Sequence, residues 1–169
     1  NVNFNTEGKF GFAGAFNGTS SYISLPNDLI NTNLFTVSCW INPSSVSSNG
    51  GILGAYGYAP GVNYGWMIYL NNGVVNFVSY STNGNMNFSQ TGSLNINTWY
   101  HVAVTYSSTD CIIYINGANS NNLVPPGDRT YRPTNHPYRL GAVDDGGTTV
   151  SFFNGKIDQV RLYNNAALP

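Results

Sequence analysis

The feature that most constrains this sequence is its regular alternation between short β-rich runs and turns containing glycine or proline. Nineteen glycines and eight prolines interrupt the 169 residues, and most of the chain shows no helical periodicity. Trp66–Leu70 and Val74–Tyr80 flank Asn71-Asn72-Gly73, and Asn-Gly supplies the positive φ angles of a tight hairpin turn. Regularly spaced short strands with turn signals are typical of a β-sandwich or barrel. The sequence therefore predicts an all-β protein.

A second hairpin and a central strand follow from the same reasoning. Residues 35–41 alternate between two bulky faces, which predicts a strand in the middle of a sheet. Cys111–Ile115 leads through Asn116-Gly117 into Ala118–Val124, and Tyr100–Tyr106 precedes it. We expect three consecutive antiparallel strands here. Further strands are predicted at Phe10–Phe16, Tyr22–Leu25, Tyr138–Val143 and Ile157–Tyr163.

Composition limits the partners that the chain can have. Only 8% of residues are charged and the formal net charge is -1, so the cationic surface that nucleic-acid binding requires is missing. No apolar run approaches the roughly 20 residues that cross a bilayer, which argues against membrane insertion. Apolar residues make up 41% of the chain, enough for one core. Residues 1–169 are predicted to form a single domain, one module of a larger protein.

Two cysteines, Cys39 and Cys111, lie in apolar strand-like runs. They are either buried free thiols or one bridge between strands. A disulfide needs Cα atoms roughly 4.4 to 6.8 Å apart, so the fold decides between the two.

The order of five segments resembles the laminin G-like members of the concanavalin A-like lectin/glucanase superfamily. The resemblance implies two curved antiparallel β-sheets stacked face to face as a jelly-roll sandwich. It covers nearly the whole chain. The segments are Ala15-Phe16-Asn17-Gly18 with Tyr22-Ile23, Phe35-Thr36-Val37-Ser38-Cys39-Trp40-Ile41, Trp99-Tyr100-His101-Val102-Ala103, Tyr114-Ile115-Asn116-Gly117, and residues 154–163 from Asn154-Gly155-Lys156 to Tyr163.

Some relatives in this superfamily cleave glycans, and that chemistry needs two carboxyl groups roughly 5 to 9.5 Å apart. The chain has one glutamate, Glu7, and one adjacent acidic pair, Asp144-Asp145, whose side chains would point to opposite faces if extended. His101 has no nucleophile or acid at a suggestive spacing and is interpreted as structural. The sequence predicts no catalytic residues and no enzyme activity.

The resemblance also implies a structural calcium ion. In laminin G-like relatives an aspartate matching Asp158 joins oxygens of a Phe-Asp-Gly turn, which reads Phe16-Asn17-Gly18 here. The predicted ligands are Asn17, Ser20, Tyr22 and Asp158, because calcium accepts carboxylate and carbonyl oxygens. Alternatively, Asp158 is neutralised by Arg161, by Lys156 or by other hydrogen bonds. A second metal interpretation, by likeness to pentraxins, places Asp144-Asp145 at a calcium site, although the partner acids are absent.

Tyrosines in a segment rich in Gly, Asn and Pro indicate a binding loop, since loops on a rigid sandwich collect binding residues. Aromatic rings pack on sugar rings, and a neutral, Asn-rich surface suits a neutral polyol. The leading hypothesis is a secreted or surface-displayed carbohydrate-binding module that recognises a glycan or a glycosylated surface. The alternative is a cell-adhesion or structural domain that binds a protein. The predicted ligand-binding residues are Tyr56, Tyr58, Asn63, Tyr64, Arg129, Tyr131, Arg132, His136, Asp144 and Asp145.

Overall fold

The structure is a computed structural model that describes residues 1–27, 29–30, 32–46, 49–59, 62–81, 84–89, 92–107, 109–123 and 136–165. These residues form β-strands joined by turns and loops, with no helix among them. The strands, in chain order, are β1 (Asn3–Glu7), β2 (Phe12–Asn17), β3 (Ile23–Leu25), β4 (Phe35–Pro43), β5 (Gly50–Ala59), β6 (Val62–Asn71), β7 (Val74–Ser81), β8 (Gly84–Ser89), β9 (Tyr100–Tyr106), β10 (Cys111–Ile115), β11 (Ala118–Leu123), β12 (Tyr138–Leu140), β13 (Val143–Asp145), β14 (Thr148–Val150) and β15 (Asn154–Asn164).

Two sheets face each other. The first has seven strands in the order β1-β2-β15-β4-β9-β10-β11, and the second has six in the order β3-β12-β5-β6-β7-β8. The hairpin β13–β14 forms a separate two-stranded sheet whose first strand contacts β5. Neighbouring strands pair antiparallel. The predicted antiparallel sandwich is confirmed, and β4 is the middle strand of its sheet.

An aromatic stack joins the two sheets through the core. Phe35 of β4 stacks on Trp66 of β6, with ring centroids 5.2 Å apart, and on Tyr106 of β9 at 5.3 Å. All three side chains are fully buried. Burying a large apolar side chain contributes about 1.5 to 3 kcal/mol, so this stack is a main source of cohesion between the sheets.

The predicted hairpin turns have the expected backbone geometry. Asn72 and Gly73 have φ angles of 49° and 79°, and Asn116 and Gly117 have 53° and 81°. Two consecutive positive φ angles define the type I′ turn, whose twist matches that of the strands it joins. The hairpins β6–β7 and β10–β11 are therefore confirmed.

The cysteines are free and buried. Cys39 of β4 pairs with Val102 of β9, and Cys111 of β10 pairs with Tyr106 at the other end of β9. Four residues of strand correspond to about 13 Å, so a bridge between the two is excluded. Burial raises the pKa of the Cys39 thiol to about 12 and also raises the pKa of Cys111, which makes both unreactive.

Candidate functional site

The side chain of Asn17 organises the loop that follows β2. Its Oδ1 accepts hydrogen bonds from the backbone N–H groups of Thr19, Ser20 and Ser21, at 3.0, 2.9 and 3.0 Å, and from the Ser21 hydroxyl. Asparagine favours such local bonds to backbone in turns. The predicted metal-binding oxygen of Asn17 is thus already engaged.

Asp158 on β15 is 7% exposed and is neutralised by backbone donors. Its Oδ2 accepts from the Phe10 N–H at 3.0 Å, and its Oδ1 accepts from the Gln159 N–H at 2.7 Å. Gln159 has a φ of 48°, and the register with β4 shifts at this point, so the carboxylate caps a β-bulge. The hydrogen-bonded alternative from the sequence describes Asp158 correctly.

The structure corrects the predicted calcium ligand set. Asn17 pairs with Asn154, and Asp158 lies four residues further along β15, about 13 Å away along the strand. Asn17 and Ser20 lie together, because Asn17 Nδ2 donates to the Ser20 hydroxyl at 3.0 Å. Asp158 lies apart from this loop, so the predicted set of Asn17, Ser20, Tyr22 and Asp158 does not converge on one calcium ion. In the described ranges, no three His, Cys, Asp or Glu side chains form a metal-binding group.

A buried carboxylate, Asp144 of β13, anchors the other predicted region. It is 0% exposed, its Oδ2 lies 3.1 Å from Nδ1 of His136, and its Oδ1 lies 4.0 Å from a guanidinium nitrogen of Arg139. A buried charge is strongly unfavourable unless it is paired. Asp144 Oδ2 is thus hydrogen-bonded to His136, whereas Oδ1 is buried without a hydrogen-bond partner and has the Arg139 guanidinium as its nearest charge. The second metal interpretation, with Asp144 and Asp145 as ligands, stays a prediction.

Tyr64 was predicted in an exposed loop, and this prediction is wrong. Tyr64 lies in β6, is 0% exposed, and stacks on the His136 ring with centroids 5.1 Å apart. The cause is Gly57 on the paired strand β5. A Cβ at Gly57 would lie 3.0 Å from both the Tyr64 hydroxyl and Asp145 Oδ1, so glycine gives the phenol a place beneath the β13–β14 turn. Tyr64 and Asp144 support the surface from below.

The exposed aromatic element at this end of the sheet is a pair of tyrosines. Tyr56 of β5 and Tyr80 of β7 stack with ring centroids 4.5 Å apart and planes within 6°, and both are partly exposed. Tyr56 pairs with Gly65 of β6, and the β6–β7 register continued by one residue places Gly65 opposite Tyr80. Since Gly65 has no side chain, the two rings meet across β6.

Arg139 of β12 connects this region to the edge of the sheet. It donates to the hydroxyls of Ser24 and Thr149, at 2.7 and 3.2 Å, in addition to lying over Tyr22 and beside Asp144. Sequence analysis missed both Arg139 and Tyr80. The hairpin turn at Asn72-Gly73 fixes the pairing of residue 80 with 65, so the signal for Tyr80 was present.

Because neighbouring strand residues point to opposite faces, Tyr56 and Tyr80 lie on one face of this end of the six-stranded sheet, and Gly57 and Tyr64 lie on the other, against the β13–β14 turn. We call this end of the sheet the rim site: its aromatic part is Tyr56 and Tyr80, and its polar part is His136 and Asp145, with Tyr64, Arg139 and Asp144 beneath or beside them. Asp145 is exposed and lies next to buried Asp144. The backbones of the predicted residues Tyr58 and Asn63 pair across β5 and β6, but their side chains lie outside what the structure describes. Arg129, Tyr131 and Arg132 lie outside the described residues altogether.

Two stacked antiparallel sheets with an aromatic and polar surface at one end define a lectin-like β-sandwich. The chain belongs to the laminin G family of the Concanavalin A-like lectin/glucanases superfamily, whose family profile matches residues 17–169. The resemblance in the sequence is thereby confirmed. The search of curated proteins gives no significant match. No helix in the described ranges has the length and hydropathy to cross a membrane.

Solved structures share this fold at low sequence identity. Domain 4 of AbnA, a GH43 extracellular arabinanase from Geobacillus stearothermophilus solved with arabinotriose, matches with a TM-score of 0.77 and 24% identity over 100% of this chain and 78% of that one. The CBM40 of the Ruminococcus gnavus IT-sialidase, bound to α2,3-sialyllactose, gives 0.69 and 14% over 93% and 92%. Mouse laminin α1 domains LG4-5 give 0.66 and 17% over 89% and 40%.

Proposed function

We propose that this chain is a non-catalytic carbohydrate-binding module that recognises a neutral glycan at the rim site. The observation that carries the proposal is the partly exposed Tyr56–Tyr80 stack. The next residue along β5, Gly57, points to the opposite face of the sheet and lies against the Asp145-Gly146 turn, so polar groups lie at the same end of the sheet as the aromatic pair. Aromatic rings offer an apolar face for the C–H side of a sugar, and the tyrosine hydroxyls add hydrogen bonds.

The polar groups of the rim site suit sugar hydroxyls. The exposed carboxylate of Asp145 accepts hydrogen bonds, and His136, whose Nδ1 is engaged by Asp144, has Nε2 for a ligand. With 8% charged residues in the whole chain, long-range attraction of a charged polymer is weak. A neutral glycan is therefore the ligand class that we propose.

The carboxyl groups support binding rather than cleavage. Glycoside hydrolysis requires two of them flanking one bond in a substrate groove. Asp144 is fully buried against His136, which leaves Asp145 as the exposed carboxyl group of the rim site among the residues that the structure describes. We therefore propose that the module does not cleave its ligand, and release of reducing ends from a bound polymer would contradict this.

The structural neighbours support a carbohydrate ligand, and the extracellular arabinanase supports a location outside the cell. The arabinanase domain was solved with arabinotriose and the sialidase module with sialyllactose. By analogy with these extracellular binding modules, we propose that the present chain is secreted or displayed on a surface.

The test is a glycan array followed by calorimetric titration, with arabinotriose as the first probe. Tyr56→Ala is expected to weaken binding about tenfold or more, as loss of a stacking contact worth about 1.4 kcal/mol would. The matched control is Tyr163→Ala, because Tyr163 is 37% exposed on β15 of the other sheet. Equal losses in both variants, or unchanged affinity in Tyr56→Ala, would reject the rim site. The predicted calcium ligands do not converge, so the titration is run with calcium and with chelator to test whether binding needs a metal ion at all.

A protein partner is the second candidate, favoured by the β1–β2 hairpin. Phe4, Phe10 and Phe12 are 57%, 58% and 74% exposed there, and exposed apolar groups of this size mark interaction surfaces when they are contiguous. Absence of binding on a broad glycan array would favour this adhesion or structural role over glycan recognition.

A further inference from the structure

The outer face of the seven-stranded sheet carries a groove on the side of the sandwich away from the rim site. On β4, Phe35, Val37, Cys39 and Ile41 point into the core, so Trp40 points outward because strand residues alternate. The groove has a volume of about 430 Å³ and is lined by Trp40, His101, Asn116 and Gly117. The groove is shallow and open to solvent.

We propose that this groove is a second binding site, and that its ligand is a sugar ring carrying a carboxylate. The site is independent of glycan binding at the rim. Three properties of the groove support the proposal: a fixed aromatic wall, neutral hydrogen-bonding groups, and surplus positive charge.

Trp40 forms the aromatic wall and is held in place on two sides. Phe10 meets it edge to face with ring centroids 6.1 Å apart, and the His101 ring lies 5.3 Å away. Trp40 is only partly buried. A rigid, half-exposed indole loses little entropy when a flat ligand packs on it.

His101 and Asn116 supply the hydrogen-bonding groups. Burial, together with the nearby charge of Arg161, lowers the pKa of His101, so the imidazole is neutral at pH 7 and offers one donor and one acceptor. Asn116 Oδ1 accepts from the His101 N–H at 2.9 Å, which fixes the amide at the groove edge and leaves its NH₂ group for a ligand.

The charge around the groove favours an anion. Lys9 Nζ lies 4.6 Å above the Trp40 ring. The positive charge of Arg161, on β15, contributes to lowering the pKa of His101. Among the described residues, the remaining cation on this face is Lys156, which donates to the Glu7 carbonyl. On the elements against the groove, the described carboxyl groups are Glu7 and Asp158, and both oxygens of Asp158 already accept backbone N–H groups.

A carboxylated sugar matches these properties together. Its hydroxyls reach His101 and Asn116, and its carboxylate pairs with Lys9. Lys9 Nζ lies over the Trp40 ring at 4.6 Å, so the sugar ring packs on the indole when the ammonium turns from the ring to the carboxylate. The carboxylate can belong to a uronic acid or to a sialic acid, and the two sources are separated by experiment.

The test uses the ¹⁵N-labelled full chain in NMR titrations with digalacturonate, 3′-sialyllactose and the neutral disaccharide galactobiose. Saturable shifts of the Trp40 indole N–H and of the Asn116 and Gly117 amides are expected with one of the acidic sugars. The acidic sugar that causes the shifts, digalacturonate or 3′-sialyllactose, shows whether the carboxylate belongs to a uronic acid or to a sialic acid. Galactobiose is expected to bind about fivefold more weakly, the loss of one partly exposed ion pair.

Variants separate a specific site from a nonspecific charge effect. Lys9→Met is expected to weaken binding of the acidic sugar about fivefold. Lys156→Met, which removes the same charge from β15, is expected to change the affinity less than about twofold. Trp40→Phe keeps an aromatic wall and tests the contribution of the indole, and unchanged melting temperatures confirm that the variants fold.

Several outcomes would overturn the proposal: no shifts with either acidic sugar, equal affinity for galactobiose, or equal losses in the two lysine variants. Tighter binding of a tri-aspartate peptide would reassign the groove to acidic peptides. Tyr56→Ala is expected to leave all these shifts unchanged, so failure at the rim site and failure at the groove are distinguishable.

Discussion

The two buried carboxylates of this protein, Asp144 beneath the rim site and Asp158 beside the groove, are neutralised in different ways. Asp144 is paired with the side chains of His136 and Arg139, whereas Asp158 accepts backbone N–H groups of Phe10 and Gln159. A side-chain partner can move or change its protonation, whereas a backbone donor is fixed by the fold. The carboxylate beneath the rim site therefore depends on neighbouring side chains, and the carboxylate beside the groove depends on the backbone.

The largest effect is expected from Asp144→Asn. This change leaves the Arg139 guanidinium beside a neutral amide and alters the hydrogen bond to His136, and breaking a buried ion pair costs about 3 kcal/mol or more. Denaturant unfolding monitored by tryptophan fluorescence measures the loss in the free energy of unfolding. Loss of less than about 1 kcal/mol would show that the pairing at the rim is not a stability element.

A smaller effect is expected from Asp158→Asn. The amide keeps one accepting oxygen for a backbone N–H but loses the second acceptor, so the free energy of unfolding should fall by about 1.5 kcal/mol. The same denaturation assay applies. If Asp158→Asn destabilised the protein more than Asp144→Asn, the contrast between the two carboxylates would fail.

The smallest effect concerns the electrostatics of the groove. Since burial is the larger cause and Arg161 the smaller, we expect the pKa of His101 to lie below the usual value of about 6.5 and to rise only partly in Arg161→Gln. Between the folded and unfolded pKa values the unfolded chain binds more protons, so His101 lowers stability as the pH falls through about 6.5. NMR titration of the imidazole gives the pKa directly. A pKa unchanged by Arg161→Gln would show that Arg161 does not contribute to the electrostatics of the groove.

Local sequence predicted most of the fold. The Asn-Gly pairs at residues 72–73 and 116–117 predicted two hairpins because few residues other than Asn and Gly adopt two successive positive φ angles at low cost. The alternation in residues 35–41 predicted the central strand β4, and both predictions are confirmed.

The candidate site was less predictable because its residues meet through distant contacts. The sequence showed that Asp158 needed a neutralising partner, yet one of its two backbone donors, Phe10, is 148 residues away. Tyr64 was predicted to be exposed because its neighbours are glycine and asparagine, and only the space left by Gly57 shows that it is buried.

The sequence by itself determined that this chain is an antiparallel β-sandwich, because strand periodicity and turn chemistry are local properties. The tertiary structure alone decided which side chains share a surface: it separated Asn17 from Asp158, joined Tyr56 to Tyr80 across Gly65, and placed His136 between Tyr64 and Asp144. The physical reason is that a binding surface depends on register and packing between strands far apart in the chain, and no local preference specifies these.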